Sequence, residues 1–237
     1  MKVGIMQPYF FPYIGYFSLI NAVDRWVVFD DVQYINKGWV NRNRIIHPIC
    51  NEWIYITVPV CKHIREEKIK NISINRTIGY KDKILAQLES SYKKRATFFY
   101  EVMNIVSDCL EKENENLCRL NVYSMKKVCE YLHINFEYQL FSEMEIVNNR
   151  MSEAGEWALY ISREMKADEY INPIGGRALF DKKKFENSGI NLRFLKQNID
   201  KYEQKKASFI EGLSIIDVMM FNSVSDINEY MSNIVIG

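Results

Sequence analysis

With 237 residues, 48% of them hydrophobic and 26% charged, the chain has the composition of a soluble globular protein. Its 31 basic and 30 acidic residues leave a formal charge of +1, which argues against a general electrostatic nucleic-acid binder. No window reaches the roughly 18 apolar residues of a membrane span, and Gln7, Pro8 and Pro12 interrupt the apolar opening as no signal peptide would, so a cytoplasmic protein is expected.

The first element is a strand. Lys2 to Gln7 is short, apolar and partly β-branched, and Pro8 ends it because proline cannot donate to a central ladder. "YIGYFSLINAV" then predicts a short helix, with Ile14, Phe17, Leu19, Ile20 and Val23 as its apolar positions. A second strand runs from Arg25 to Phe29 and into Asp30 and Asp31. Strand, helix and strand within about 30 residues is the length of a βαβ unit, the start of an α/β fold. A hairpin follows, with strands near Arg42–Ile46 and Trp53–Val58 around HPICN, and "IKNISIN" reads as a further strand.

From Tyr80 to Leu132 the period becomes helical. Ile84, Leu85, Leu88 and Tyr92 form one stripe; Phe98, Val102, Ile105, Val106 and Cys109 a second; Leu117, Leu120, Tyr123, Met125, Val128 and Leu132 a third. "INFEYQL" returns to strand, and Ser152 to Met165 is predicted helical with Ser152 as N-cap. "EYINPIGGRALF" reads as strand, Pro-Gly-Gly turn and helix start, "INLRFLKQ" as a strand, and "LSIIDVMMFN" as a helix beginning at Ser214. No linker or repeat divides the chain. The expected architecture is one α/β domain over residues 1–237: a central, mostly parallel sheet with a β-hairpin and a helical insert at about 80–132.

In open α/β sheets ligands sit beyond the carboxyl ends of strands, where helix N-termini present free amides. Gln7, Tyr9, Tyr13, Gly15 and Tyr16 fall at such a turn. Tyrosine and glutamine bring neutral donors and acceptors, tyrosine rings stack on a base or sugar, and Gly15 would let a ligand approach the backbone. An aromatic plug in the core is the competing reading, and pattern alone leaves the two even.

Asp30 and Asp31 are followed by Gln33 and Tyr34. Adjacent carboxylates on a strand point to opposite faces, so at most one enters a site, as metal ligand, hydroxyl binder or base. Capping or a surface loop is the ordinary fate of such a pair. "NKGWVNRNR" gathers Lys37, Arg42 and Arg44 with Trp39, Asn41 and Asn43. Arginine forks suit phosphate oxygens and Trp39 could stack on a base or sugar, although positive charge also guards edge strands. The position just after the ligand turn favours phosphate. Gly175, Gly176 and Arg177 repeat the logic at a helix start, though most such turns are merely turns.

Five cysteines form no CxxC pair. His47, Cys50, Cys61 and His63 make H-x2-C-x10-C-x-H, donor types zinc accepts in a spacing that matches no common structural site. GxSxG, HExxH and the P-loop motif are missing, and three histidines leave few ways to build a Ser/His triad.

"MQPYFFPYIGYFSLI", "FDDVQYINKGWVNRNRI", "GGRALF" and "LSIIDVMMFN" together resemble the WbqC-like family, the first two blocks being the specific part. The resemblance implies a role in bacterial O-antigen or capsule assembly, with transfer of a glycyl or similar acyl group to the amino group of a nucleotide-linked amino sugar. The activated donor would come from ATP, an aminoacyl-tRNA or a thioester. A non-catalytic nucleotide-sugar or partner-binding protein of that pathway, and a glycosyltransferase, are the alternatives. "QPYFFPYIGYFSLI" is also distantly similar to the P-x-HxGH turn of nucleotidyltransferases and the pantoate–β-alanine ligase group, which implies a nucleotidyltransferase-like (HUP-like) fold with ATP and Mg²⁺ as candidate cofactors. Tyr13 and Tyr16 stand where the histidines would be, and tyrosine hydrogen-bonds without carrying positive charge. On these grounds Asp30, Asp31 and Tyr16 are the candidate catalytic residues, and Gln7, Tyr9, Tyr13, Gly15, Gln33, Tyr34, Lys37, Trp39, Asn41, Arg42, Arg44, Gly175, Gly176 and Arg177 are the candidate binding residues.

Overall fold

A computed structural model describes residues 1–112, 115–145, 154–198 and 201–237. Its strands are β1 (Lys2–Met6), β2 (Arg25–Val28), β3 (Arg42–Ile46), β4 (Trp53–Thr57), β5 (Tyr138–Leu140), β6 (Glu169–Pro173), β7 (Asn191–Gln197) and β8 (Ile234–Ile236). The helices are α1 (Ile14–Ala22), α2 (Tyr80–Tyr92), α3 (Phe99–Glu111), α4 (Leu117–Leu132), α5 (Ala154–Glu164), α6 (Lys182–Glu186), α7 (Ile215–Phe221) and α8 (Val224–Ser232).

Six strands form the central sheet in the order β5-β2-β1-β6-β7-β8, parallel except for the β7–β8 pair. β1 pairs in register with β2, from Val3 opposite Arg25 to Met6 opposite Val28, so the expected βαβ unit forms. The chain winds outward from β1 through β2 to β5, then returns to the other side of β1 with β6 and β7. Strand order therefore reverses between β1 and β6, and their carboxyl ends diverge into a crevice.

Alternation along the strands separates two cores. Val3, Ile5 and Val27 pack on one face with Phe141, Ile161, Phe185 and Leu192. Trp26 and Val28 point to the other, into the larger cluster with α1, α4 and α7. A parallel sheet covered on both faces reads as unbroken apolar strands, which is why "VGIM" and "WVV" lack alternation. The helical stretch resolves into α2, α3 and α4, packed in succession.

The β3–β4 hairpin stands apart from the sheet, with Arg42 opposite Thr57 and Ile46 opposite Trp53. "IKNISIN" is not a strand. It forms a 3₁₀ turn at Ile69–Asn71, and then single bridges from Ser73 to Asn116 and from Ile74 to Val60. Its backbone divides between the 59–61 loop and the approach to α4, so no one partner is long enough to make a ladder. "GGRAL" likewise forms a 3₁₀ turn, Ile174–Leu179. Ser214 caps α7, its hydroxyl accepting from the amide of Ile216 at 3.2 Å. The N-cap expected at Ser152 lies outside the described residues. Among those residues no helix is long and apolar enough to cross a membrane.

Candidate functional site

The turn after β1 is buried, which is unusual for a loop, because its carbonyls need partners. Three side chains supply them. Asn121 of α4 donates to Pro8 O at 2.8 Å and to Val40 O at 2.7 Å. Asn43 of β3 donates to Phe10 O at 3.0 Å and Phe11 O at 2.8 Å, while Ser214 Oγ also donates to Phe11 O at 2.7 Å. The amides of Phe10 and Ile215 close the ring through Trp39 O and Pro12 O. Phe11 is held at a φ of +40°, strained for a residue with a Cβ. Phe10 and Phe11 are core, whereas the alternate side chains Tyr9 and Tyr13 face outward.

These tyrosines line the crevice between β1 and β6. A cavity of about 540 Å³ lies there, walled by Gln7, Tyr9, Tyr13 and Tyr16 from the β1 side and by Asn172, Gly175, Gly176 and Phe180 from the β6 side. A second cavity of about 270 Å³ shares Tyr9, Tyr13 and Trp39 with it and adds Pro12, Asn43, Arg44 and Gly212. A third, of about 800 Å³, reaches the end of β7 at Lys196, Gln197 and Asn198 and shares Tyr13, Pro173 and Gly175 with the first. Tyr13 lies where all three meet.

The three phenols form a cluster, with Tyr16 5.1 Å from Tyr9 and 5.9 Å from Tyr13 between ring centroids. Tyr16 donates to Gln7 O at 3.2 Å. Burial raises the hydroxyl pKa of Tyr9 and Tyr13, and raises that of fully buried Tyr16 well above the ordinary value. All three are neutral hydrogen-bonding groups near pH 7. Gly15 has a different role from the one its position suggested. A Cβ there would stand 2.3 Å from the Tyr13 ring, so the missing side chain lets that ring fold onto α1. Gly176 does the same for the Asn172 amide, and of these three glycines Gly175 alone faces open space.

Arg44 lines the second and third cavities, and Arg42 lines none of the three. Arg44 lies 5.2 Å from the ring centroids of both Trp39 and Trp53, and its Nη2 donates to Gly212 O at 2.9 Å. Arg42 sits 3.9 Å over Tyr55 and bonds Lys37 O. Lys37 is exposed, and Asn41 donates to Val58 O at 3.0 Å inside the hairpin. Arg177 is exposed and lies over Phe194, 5.7 Å from its centroid.

The structure does not bring Asp30 and Asp31 to the crevice. Asp30 turns to the far side of β2, where it accepts from Ser142 N at 2.9 Å and Ser142 Oγ at 2.6 Å. Asp31 pairs with Lys70 at 2.7 Å and Lys68 at 3.0 Å. Burial alone would raise its pKa, but the two lysines outweigh burial and hold it below the usual carboxylate range. With both Asp30 oxygens held by Ser142 and Asp31 Oδ1 paired with two ammonium groups, the pair does not fit a Mg²⁺ site. Gln33 bonds Arg65 O, and Tyr34 packs edge-on to His63, its pKa pushed up to about 12 by burial against the opposing effect of Arg42. Both pin the 60–70 loop. His47 Nδ1 accepts from the amides of Ile49 and Cys50. Among the described residues no three His, Cys, Asp or Glu side chains group closely enough to hold a metal ion.

Several site residues escape sequence reasoning. Asn172, the last residue but one of β6, lines the crevice and accepts from Tyr170 OH at 2.9 Å. A polar residue closing an apolar strand before Pro173 was the signal for it. Asn121, a lone amide within the apolar stripe of α4, gave a similar one. Gly212 arrives from the other end of the chain and had no local signal.

A mostly parallel, doubly wound sheet with a polar-aromatic crevice at its switch point is the architecture of ligand-binding α/β proteins. The chain belongs to the WbqC-like protein family, whose model matches residues 7–229. It is 28% identical over 231 residues to the uncharacterized protein Rv1507c of Mycobacterium tuberculosis, a match covering 97% of each chain. No solved structure matches it.

Proposed function

We propose that this chain is an amide-forming transferase of bacterial surface-polysaccharide biosynthesis, moving a glycyl or similar acyl group onto the amino group of a nucleotide-linked amino sugar. The observation that carries the reading is the continuity of the three cavities around Tyr13. The crevice lined by Gln7, Asn172 and tyrosines suits a sugar, and the adjoining chamber, where Arg44 and Lys196 outnumber the one carboxylate, Glu211, suits its diphosphate. Gly175, shared by both, lets the chain of the ligand pass close to backbone.

In this reaction the sugar nitrogen attacks the acyl carbon and forms the amide bond. The bond from that carbon to its activating group breaks, and the nitrogen's proton leaves with the departing group. Among the described residues no histidine or carboxylate lines the switch-point crevice. A free carboxylate and an amine do not condense unaided near neutral pH, so the acyl donor is an activated one: an anhydride, an aminoacyl ester or a thioester. Neutral Tyr9 and Tyr13 donate hydrogen bonds to the oxygen that gains charge in the tetrahedral intermediate, a contribution that grows in a site shielded from water.

Incubating the protein with a nucleotide amino sugar and an activated glycyl donor should yield the glycylated sugar by mass spectrometry. Tyr9→Phe with Tyr13→Phe should cut the rate at least tenfold while binding persists. No product with any donor class, together with no binding of the sugar nucleotide, would overturn the proposal. The scarcity of acid–base groups in the crevice favours one other reading, a binding module of the same pathway. Binding without turnover would select it.

A further inference from the structure

We propose that the cavity of about 270 Å³ between Tyr9, Tyr13, Trp39 and Arg44 is a nucleobase pocket selective for a pyrimidine-2,4-dione, uracil or thymine. This rests on the reading of the crevice as a nucleotide-sugar site and adds to it the identity of the base.

Shape is the first argument. Three aromatic rings and the Pro12 ring line a volume sized for one flat heterocycle, with the Arg44 guanidinium beside it. Aromatic side chains stack on bases through their faces. Arg44 and the Trp39 backbone are anchored before a ligand arrives. Trp39 O accepts from the amide of Phe10 at 3.1 Å, and Arg44 is held by Gly212 O at 2.9 Å and flanked by the rings of Trp39 and Trp53. Preorganised walls cost little ordering on binding.

Hydrogen-bond capacity is the second argument. Asn43, the amide in the pocket wall, is already engaged: its Nδ2 serves Phe10 O and Phe11 O, and its Oδ1 accepts from the amide of Arg44 at 2.8 Å. What remains is the rest of the Arg44 guanidinium, which only donates. A dione edge presents two carbonyl acceptors to these donors. Adenine would set an exocyclic amino donor against the guanidinium donors.

Connectivity is the third. The base pocket shares Tyr13, Arg44 and Gly212 with the chamber of Lys196 and Tyr9, Tyr13 and Trp39 with the sugar crevice; that chamber and the crevice share Tyr13, Pro173 and Gly175. The three cavities adjoin around Tyr13, so a nucleotide sugar bent about that ring can place base, diphosphate and sugar one in each.

Isothermal titration of the whole protein with UDP, dTDP, ADP and a UDP-linked amino sugar tests this. UDP or dTDP should bind at least tenfold more tightly than ADP. Trp39→Ala should weaken UDP at least tenfold, and Trp39→Phe, which keeps a stacking face, by less than threefold. Equal affinity for UDP and ADP overturns the base assignment, as does UDP binding unchanged in a folded Trp39→Ala variant. Should that variant fail to fold, the wild-type order of UDP and ADP decides alone. Binding of the sugar nucleotide without base preference sinks the pocket and leaves the proposed function standing. Binding of UDP with no added affinity for the amino sugar does the reverse.

Discussion

Asn43 joins the hairpin to the aromatic turn through two buried carbonyls, and both would lose their amide donor in Asn43→Ala. Phe10 O would be left with no partner among the described residues, and Phe11 O with Ser214 alone. Each unsatisfied buried group costs about 1–3 kcal/mol, so denaturant unfolding of the variant should show a loss of about 2–4 kcal/mol. Gly15 offers a contrasting test. Alanine favours a helix by up to about 1 kcal/mol, which leaves Gly15→Ala near neutral for folding once the Tyr13 ring moves aside. That movement displaces the residue at the meeting of three cavities, so UDP-sugar affinity should fall at least tenfold while the melting temperature changes little. Asn43 and Gly15 thus separate the turn's two duties, being held and presenting a wall. The turn itself was legible in the sequence, because a strand stopped by Pro8 and followed by tyrosines points to the end of a sheet. The partners that hold it were not. Asn121 and Ser214 act across separations of 113 and 203 residues, and local pattern does not encode such distances.

Among the elements, α7 carries a buried carboxyl group that no local pattern marks out. Asp217 is fully buried and accepts from Tyr92 OH at 2.7 Å, Tyr202 OH at 2.6 Å and Gln204 Nε2 at 2.8 Å. Tyr92 in turn accepts from the amide of Ile46 at 3.2 Å, which ties α7 through α2 to the hairpin. Burial pushes the carboxyl up to about 6, against the opposing pull of its three donors. The folded state therefore keeps this proton to a higher pH than the unfolded chain, whose aspartates titrate near ~3.9. Its contribution to stability is fully present below about pH 4 and is lost as pH rises through 6, by roughly 3 kcal/mol. Equilibrium unfolding of wild type relative to Asp217→Asn should show this falling difference between those pH values; a flat difference would contradict it. Elements with strict periodicity, such as α3 and α4, were predictable because their stripes face a contiguous core. "IKNISIN" misled because alternation describes a side-chain pattern, and a strand also needs a backbone partner. α8 went unread although Ser223 and Asp226 form a capping box, a short polar signal close behind the end of α7.

At the scale of the whole molecule, the winding of the sheet puts the crevice where it is. Because β2 and β6 flank β1, the loops leaving β1 and β6 part, and the hairpin and the 3₁₀ turn at Ile174–Leu179 close around the gap. The Asp30 side of β2 offers a rival, a cavity of about 240 Å³ lined by Lys70, Asn116, Arg119 and Ser142. Its charged groups could attract an anion, but it lacks the aromatic walls and the continuity that a sugar nucleotide would use. A crystal structure of the protein with a UDP- or dTDP-linked amino sugar distinguishes the two most directly. The account predicts the base against Trp39, the phosphates beside Arg44 and the sugar between β1 and β6, its amino group within reach of Tyr9 or Tyr13. Ligand bound beside Asp30 and Arg119, with the Tyr13 crevice empty, would contradict it.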